Sequence, residues 1–328
     1  LLSERQNQIL KLIIEEYSKV PIPVGSTSIC DILGVSPATV RSEMAKLEDF
    51  GYLEKTHTSS GRVPSENGYR YYVDNIMKPK KIKSSDAVEL QRIFKNNTLE
   101  KTDAISKSLE IISEMTNYTT VMLGSKSSDN KLKQVEVVPI NNENVIAIVI
   151  TDKGHVENKN INIKGSNLEE VRKIVELINK IIVGTPIDEV SYRLECDIKP
   201  IISQYVTQYE TLYNAFYNAF NDFKESNDIK MQGKSNILEL PEFNTVDKIK
   251  NIVNVLDNEN IISSIREDSN DINIYIGKES NIDDDLTVIK TKYNVNGDEG
   301  TIAILGPKRM EYDRVVSLLE FIKSNIER

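Results

Sequence analysis

The residue types that carry most enzyme chemistry are scarce in this 328-residue chain. It has two histidines, His57 and His155, and two cysteines, Cys30 and Cys196, each far from its fellow. No HExxH or CxxC spacing is present, so neither a zinc site nor a disulfide scaffold is expected. GKSN at 233–236 lacks the upstream glycine of a phosphate-binding loop. GPKRM at 306–310 sets Lys308 and Arg309 ahead of a helix, where they serve better as a polar cap than as an anion site. Asp283, Asp284 and Asp285 suit a capped or solvated turn better than a cation site. No Ser–His–Asp order is credible. Neither an enzyme nor a resident metal or cofactor is expected. What the chain does concentrate is a run of small side chains, hydroxyls and cations between Ser36 and Pro64. Groups of that kind read base edges and hold phosphates.

The apolar spacing predicts the elements that position them. Ser26 is expected to cap a first helix carrying Ile29, Ile32 and Leu33, ended by Gly34, with Cys30 as a small buried group. Ser36 caps a second helix and Pro37 takes its first position, where a missing N–H costs nothing. Val40, Met44 and Leu47 recur at steps of four and three and make one apolar stripe. Ala38, Thr39, Arg41 and Ser42 fall off that stripe and are the residues expected to reach base edges, Ala38 against a thymine methyl. Lys46 follows on the same face. Gly51 ends the helix, and Lys55, His57, Thr58, Ser59, Ser60, Gly61 and Arg62 form a polar loop closed by Pro64. This loop reads as a wing. Lys46, Lys55, His57, Thr58, Ser59 and Arg62 are expected at phosphates or a flanking groove. A helical hairpin with a solvated loop is the bland alternative.

A helix over 4–19, capped by Ser3, brings Ile9, Leu12, Ile13 and Tyr17 inward before this motif. Another over 66–77 follows, with Tyr69, Tyr72, Val73 and Ile76 on one side and Arg70 free to meet phosphate or solvent. The head is expected to bury these stripes in a small core of its own. Residues 1–83 hold 12 Lys/Arg and 10 Asp/Glu, a net of +2; the remainder holds 29 and 40, a net of −11. The overall charge of −9 therefore belongs to the body, and does not exclude a DNA-binding head.

Beyond a lysine-rich linker, KPKKIKSS at 78–85, residues 86–117 read as two helices or one broken helix. Strands are expected at TTVML, KQVEVVPI, VIAIVITD, HVENKNINI, NILEL, INIYIG, TVIKTKY and TIAILG. Helices are expected at 168–182, 198–223, 248–265 and 312–326. The 198–223 helix carries aromatics beyond what a small core needs. Tyr205, Leu212, Phe216, Phe220 and Phe223 are therefore candidates for a dimer interface as well as for a core. No run approaches the ~20 apolar residues of a bilayer span. Glu4 and Arg5 open an amphipathic helix rather than a signal peptide, so a cytoplasmic location is expected.

Several segments together carry a family resemblance. In the head they are LSERQNQIL at 2–10, PVGS at 23–26 and the unbroken stretch VSPATVRSEMAKLEDFGYLEKTHTSSGRVPSENGYRYYVDNIM at 35–77. In the body they are QGKSNILELPEF at 232–243, IYIGKES at 274–280 and GTIAILGPKRMEYDRVVSLLEFI at 300–322. The chain resembles the HrcA family of bacterial heat-inducible transcription repressors nearly end to end. The resemblance implies a multidomain α+β chain: an N-terminal winged helix-turn-helix at 1–77, a linker and connecting helix at 78–100, a GAF-like α+β body at 101–160 and 240–328, and an inserted dimerising α+β domain at 161–239. It also implies a homodimer on double-stranded DNA bearing an inverted repeat of the CIRCE type, kept active by the GroEL chaperonin. Thr56 and Ser60 stand where prolines or alanines are common in relatives. A winged-helix regulator whose body senses a small ligand is the alternative.

Overall fold

The computed structural model describes residues 2–56, 61–78, 82–95, 101–124, 130–154, 156–204, 209–225, 229–267, 269–295 and 298–326. The chain forms two compact units, one of residues 1–122, 230–295 and 301–328, the other of 123–229 and 296–300.

The first unit begins with α1 (Glu4–Lys19), α2 (Ser26–Leu33) and α3 (Pro37–Asp49), then the hairpin β1 (Leu53–Lys55) and β2 (Arg62–Pro64), then α4 (Glu66–Tyr71), which runs on as a π-helical turn over Tyr72–Ile76. Local chemistry fixes each end. Ser3 and Gln6 form a reciprocal capping box on α1. Gly34 closes α2 at φ +64°, a left-handed position that a side chain would strain. The cap of α2 is Gly25, not Ser26 as the sequence suggested; Ser26 is the first helical residue and is buried. Ile32 faces outward at 60% exposure, while Leu10 and Ile14 join Ile9 and Ile13 inside and leave Leu12 and Tyr17 half-buried.

The approach of α4 to β1 is set by Gly68. A Cβ there would lie 2.1 Å from the carbonyl oxygen of Tyr52, which already accepts the Ser65 N–H at 3.1 Å. Because the obstacle is backbone, Gly68→Ala is expected to cost about 1–3 kcal/mol of stability, read as a lower denaturant midpoint. An unchanged midpoint would show that this close approach is not needed.

The head does not keep a core to itself. Ile9, Leu10, Ile13, Ile14, Tyr69 and Tyr72 belong to one continuous apolar cluster with Met310, Tyr312, Val315 and Leu319. Tyr312 is fully buried, with the rings of Tyr69 and Tyr72 centred 5.9 and 6.5 Å from its own. Burial pushes all three hydroxyls well above their ordinary range, so the contact stays uncharged. Ser18 Oγ donates to Met310 O at 3.2 Å, and Arg309 Nη1 donates to Ser18 O at 3.2 Å. Arg70, 29% exposed, is engaged within the chain: its Nη2 donates to Ile274 O at 2.5 Å and to Glu279 Oε2 at 2.8 Å. The separate head core expected from sequence is thus corrected. Its stripes are shared with the C-terminal segment.

The rest of this unit holds α5 (Ser84–Phe94), α6 (Lys101–Thr116) and a five-stranded sheet. The sheet runs in the order β7 (Ile229–Gln232), β3 (Thr119–Leu123), β10 (Asp298–Pro307), β9 (Leu286–Val295), β8 (Asn273–Ile276). α14 (Tyr312–Ile326) packs on β9 and α6. Three shorter helices complete it: α11 (Lys234–Leu238), α12 (Val246–Asp257) and α13 (Glu259–Ser263). NILEL, expected as a strand, lies in α11 and the turn after it, because Gly233 at φ +66° starts a helix.

The second unit is a three-stranded antiparallel sheet, β4 (Leu132–Pro139), β5 (Asn144–Thr151) and β6 (Val156–Asn162), with α7 (Leu168–Ile181), α8 (Ile187–Arg193), α9 (Lys199–Ile202) and α10 (Tyr209–Glu225). Residues 123–160 therefore pack with 161–229, whereas the sequence reading divided the chain at 160/161 and 239/240. The helix expected over 198–223 is split, and its long part starts at Tyr209. Val145, Ala147 and Val149 of β5 face a core that also takes Val171, Ile174 and Ile178 of α7. Leu212, Phe216 and Phe220 are almost wholly buried in that same core, so they are not available as the dimer surface the sequence suggested. Of the other two candidates, Tyr205 and the side chain of Phe223 lie outside the described residues.

Candidate nucleic-acid interface

α3 is pinned from one side only. Val40, Met44 and Leu47 are buried, and the helix packs on α1 and α2. The 3.6-residue period then sends Ala38, Arg41, Ser42 and Lys46 outward, and all four are exposed; Thr39 is half-buried at the edge of that face. At the N-terminus Ser36 Oγ accepts the Thr39 N–H at 3.2 Å and lies 2.9 Å from Thr39 Oγ1. The expected base-reading residues are thus brought onto one surface.

Polar contacts between side chains order this face. Arg41 Nε donates to Ser26 Oγ at 3.1 Å. Lys46 Nζ donates to Glu43 Oε1 at 2.8 Å, and Gln6 Nε2 donates to Glu43 Oε2 at 2.9 Å. The Lys46 bond does most to hold the Glu43 carboxyl below its usual range, against a smaller opposing effect of burial and with help from Gln6. Arg62 Nε donates to Glu48 Oε2 at 2.7 Å, with the arginine side chain only 16% exposed. Sequence reasoning took Ser26 only as a helix cap and did not single out Gln6, Glu43 or Glu48. Their partners lie 14 to 37 residues away, apart from the local Glu43–Lys46 pair, so no periodicity announces them.

The wing is a short antiparallel ladder with Lys55 opposite Arg62. Val24 adds an edge bridge through two 2.9 Å bonds between its own backbone and that of Arg62. Lys55 is exposed. Arg62 braces the wing to α3 through Glu48, so its guanidinium is engaged within the chain. His57, Thr58 and Ser59, at the tip, lie outside the described residues.

The other sequence candidates resolve into internal contacts. Arg309 forks onto Glu242, and Lys308 Nζ lies 3.7 Å from Glu66 and 3.6 Å from Asp285, so GPKRM is neutralised within the chain. Lys248 Nζ donates to Asp285 at 2.6 Å, and Asn251 donates to Asp283 at 2.5 Å. Burial would raise the Asp285 carboxyl, but Lys248 and Lys308 override it and hold it low. In GKSN, Asn236 Nδ2 donates to Ser113 Oγ at 3.1 Å. Among the described residues no group of three or more His, Cys, Asp or Glu side chains could hold a metal ion. No helix among them is long and apolar enough to cross a membrane.

A helix–turn–helix whose second helix shows cations and hydroxyls to solvent, flanked by a two-stranded wing, defines a winged-helix DNA-binding protein. Comparison with known proteins narrows this. Residues 1–74 match the profile described as "Winged helix-turn-helix transcription repressor, HrcA DNA-binding", and residues 102–316 match "HrcA protein C terminal domain". The chain is 36% identical to the heat-inducible transcription repressor HrcA of Bacillus pumilus (strain SAFR-032) and 37% identical to that of Lysinibacillus sphaericus, in each case over 99% of this chain and 97% of the relative. A crystal structure of a hypothetical protein at 2.2 Å resolution has the same fold, with a TM-score of 0.69 at 21% identity, over 99% of this chain and 98% of that one. The chain belongs to the HrcA family.

Proposed function

We propose that this chain is a sequence-specific repressor of heat-shock chaperone operons, acting as a homodimer on double-stranded DNA with an inverted repeat of the CIRCE type. It catalyses nothing. The observation that carries this reading is the outward face of α3, where Ala38, Arg41 and Ser42 are exposed on a helix held by buried Val40, Met44 and Leu47. Thr39, at the edge of that face, completes the base-reading set, and Lys46 and Lys55 hold phosphates. The body is GAF-like, the second compact unit is the dimerising insertion, and GroEL is the partner that keeps the repressor active.

Since Leu212, Phe216 and Phe220 of α10 point into a core, dimerisation is given another surface. β5 alternates along its length: Val145, Ala147 and Val149 are buried, while Ile146, Ile148 and Ile150 lie half-exposed on the opposite face. Val138 stands beside Ile146 and Val156 beside Ile150, at 46% and 59% exposure. A second copy of the chain is the occupant that an inverted repeat calls for, because a two-fold operator matches a two-fold protein.

The division of labour in the head is tested by two substitutions in the full chain. Arg41→Ala is expected to weaken binding to the inverted repeat and to lower its preference over a scrambled duplex, since one good bidentate base contact gives ~1–3 kcal/mol of discrimination. Lys55→Ala is expected to weaken both duplexes alike and to flatten the salt dependence by about one counterion. Titration of both duplexes at several salt concentrations checks this. Equal loss of preference in the two variants would refute it.

A further inference from the structure

Ser26 stands where a serine ordinarily caps a helix, yet it does not cap α2. Gly25 holds the N-cap position and offers no side chain to it. The Ser26 hydroxyl is instead buried and accepts a hydrogen bond from Arg41 Nε, 15 residues on, at 3.1 Å. The atom used matters. Arginine presents five donors in a flat fork; one is Nε–H and four are on the two terminal nitrogens. Engaging Nε fixes the plane of the guanidinium while leaving both terminal nitrogens available. The base of Arg41 is anchored by α3, which is itself packed through Val40 and Met44 on either side in sequence. An exposed arginine is thereby held at two points along its length.

We propose that Ser26 is a specificity-determining positioning residue: it orients the Arg41 guanidinium for base reading without touching DNA itself. This rests on the reading of Arg41 as a base contact. Fixing the fork before binding removes rotamer freedom that would otherwise be lost in the complex, and it favours the one orientation that matches a base edge. The gain falls on the correct sequence. Phosphate contacts, which are point-like and tolerant of rotation, do not depend on it.

The test uses the full chain and two duplexes of equal length and base composition, one carrying the inverted repeat and one scrambled. Ser26→Ala is expected to lower the preference for the inverted repeat about three- to tenfold, the effect of losing one ordinary hydrogen bond. Its salt dependence is expected to match that of the unsubstituted chain, because no phosphate contact is removed. Ser26→Thr, which keeps a hydroxyl, is expected to retain most of the preference. In an Arg41→Ala background, Ser26→Ala is expected to have no further effect, since the two residues act as one unit. Full preference in Ser26→Ala overturns the proposal. So does a loss of the same size with Arg41 already removed, or an equal loss on both duplexes with an altered salt slope. If Arg41→Ala alone keeps its preference, the base-reading assignment fails instead, and that result is separate. Thermal melting of each variant distinguishes a folding defect, and Ser26→Thr keeps the comparison open if Ser26→Ala melts early.

Discussion

Ile148→Glu is expected to leave the chain monomeric and to weaken binding to the inverted repeat by roughly two orders of magnitude or more. The residue sits at the middle of the half-exposed stripe of β5, opposite Glu136 on β4 and Asn158 on β6. A carboxylate there costs the single chain little, because water already reaches the position. In a dimer closed across this face it would be buried beside its own symmetry copy and beside Glu136, with no cation to meet it. The effect on DNA follows from geometry. Two heads on one body turn the second half-site into an intramolecular event, and that advantage of 10²–10⁴ disappears when the heads part. Sedimentation gives the oligomeric state, and titration against single and paired half-sites gives the coupling. The monomer should bind a single half-site as well as the unsubstituted chain does. A variant that still sediments as a dimer would place the interface elsewhere.

Tyr312→Ala is expected to cost about 3–5 kcal/mol and to abolish operator binding at the temperature where the body unfolds. Tyr312 is far from α3 in sequence, but from the first position of the sheet-covering helix α14 it packs against Tyr69 and Tyr72. Removing its ring leaves a cavity shared by head and body. Tyr312→Phe, which loses the hydroxyl and its bond to Lys308 O, is expected to cost about 1 kcal/mol. The measurement is thermal melting by circular dichroism beside operator titration over the same temperatures. One coincident loss is the expected result. Operator binding that outlasts the body's melting would show that the head stands alone. With the coincident loss, heat relieves repression through the shared core, without first having to separate dimer partners.

The winged helix was largely legible because its signals are local. Ser36–Pro37 at a helix start, the Val40–Met44–Leu47 stripe and glycines at 34 and 51 each act within a few residues, and the structure realises them. β4, β5, β6, α7 and α14 were likewise readable from period alone. What misled was anything decided at long range. The partners that hold Arg62 and Arg70, Glu48 and Ile274, are 14 and 204 residues away, where no periodicity points to them. Leu212, Phe216 and Phe220 exceed the needs of a small core, but the second unit is larger than expected because it includes the sheet from Leu132 onward. An aromatic-rich helix announces burial without saying whether its own chain or another supplies the cover.

The shared core also has a consequence for the order of synthesis. The residues proposed to read DNA are made early, but Arg309, Met310 and Tyr312, which close the core beneath the head, are made more than two hundred residues later. At ~5–20 residues per second, a ribosome leaves α1 and α4 without their apolar cover for on the order of ten seconds or more. The intervening unit has time to collapse first. A nascent repressor is therefore held in an incomplete state through most of its translation, with the stripes of its head exposed to whatever binds such surfaces. Repression begins only once β10 and α14 have been made, so the supply of active protein is set by synthesis of this C-terminal segment rather than by the making of α3.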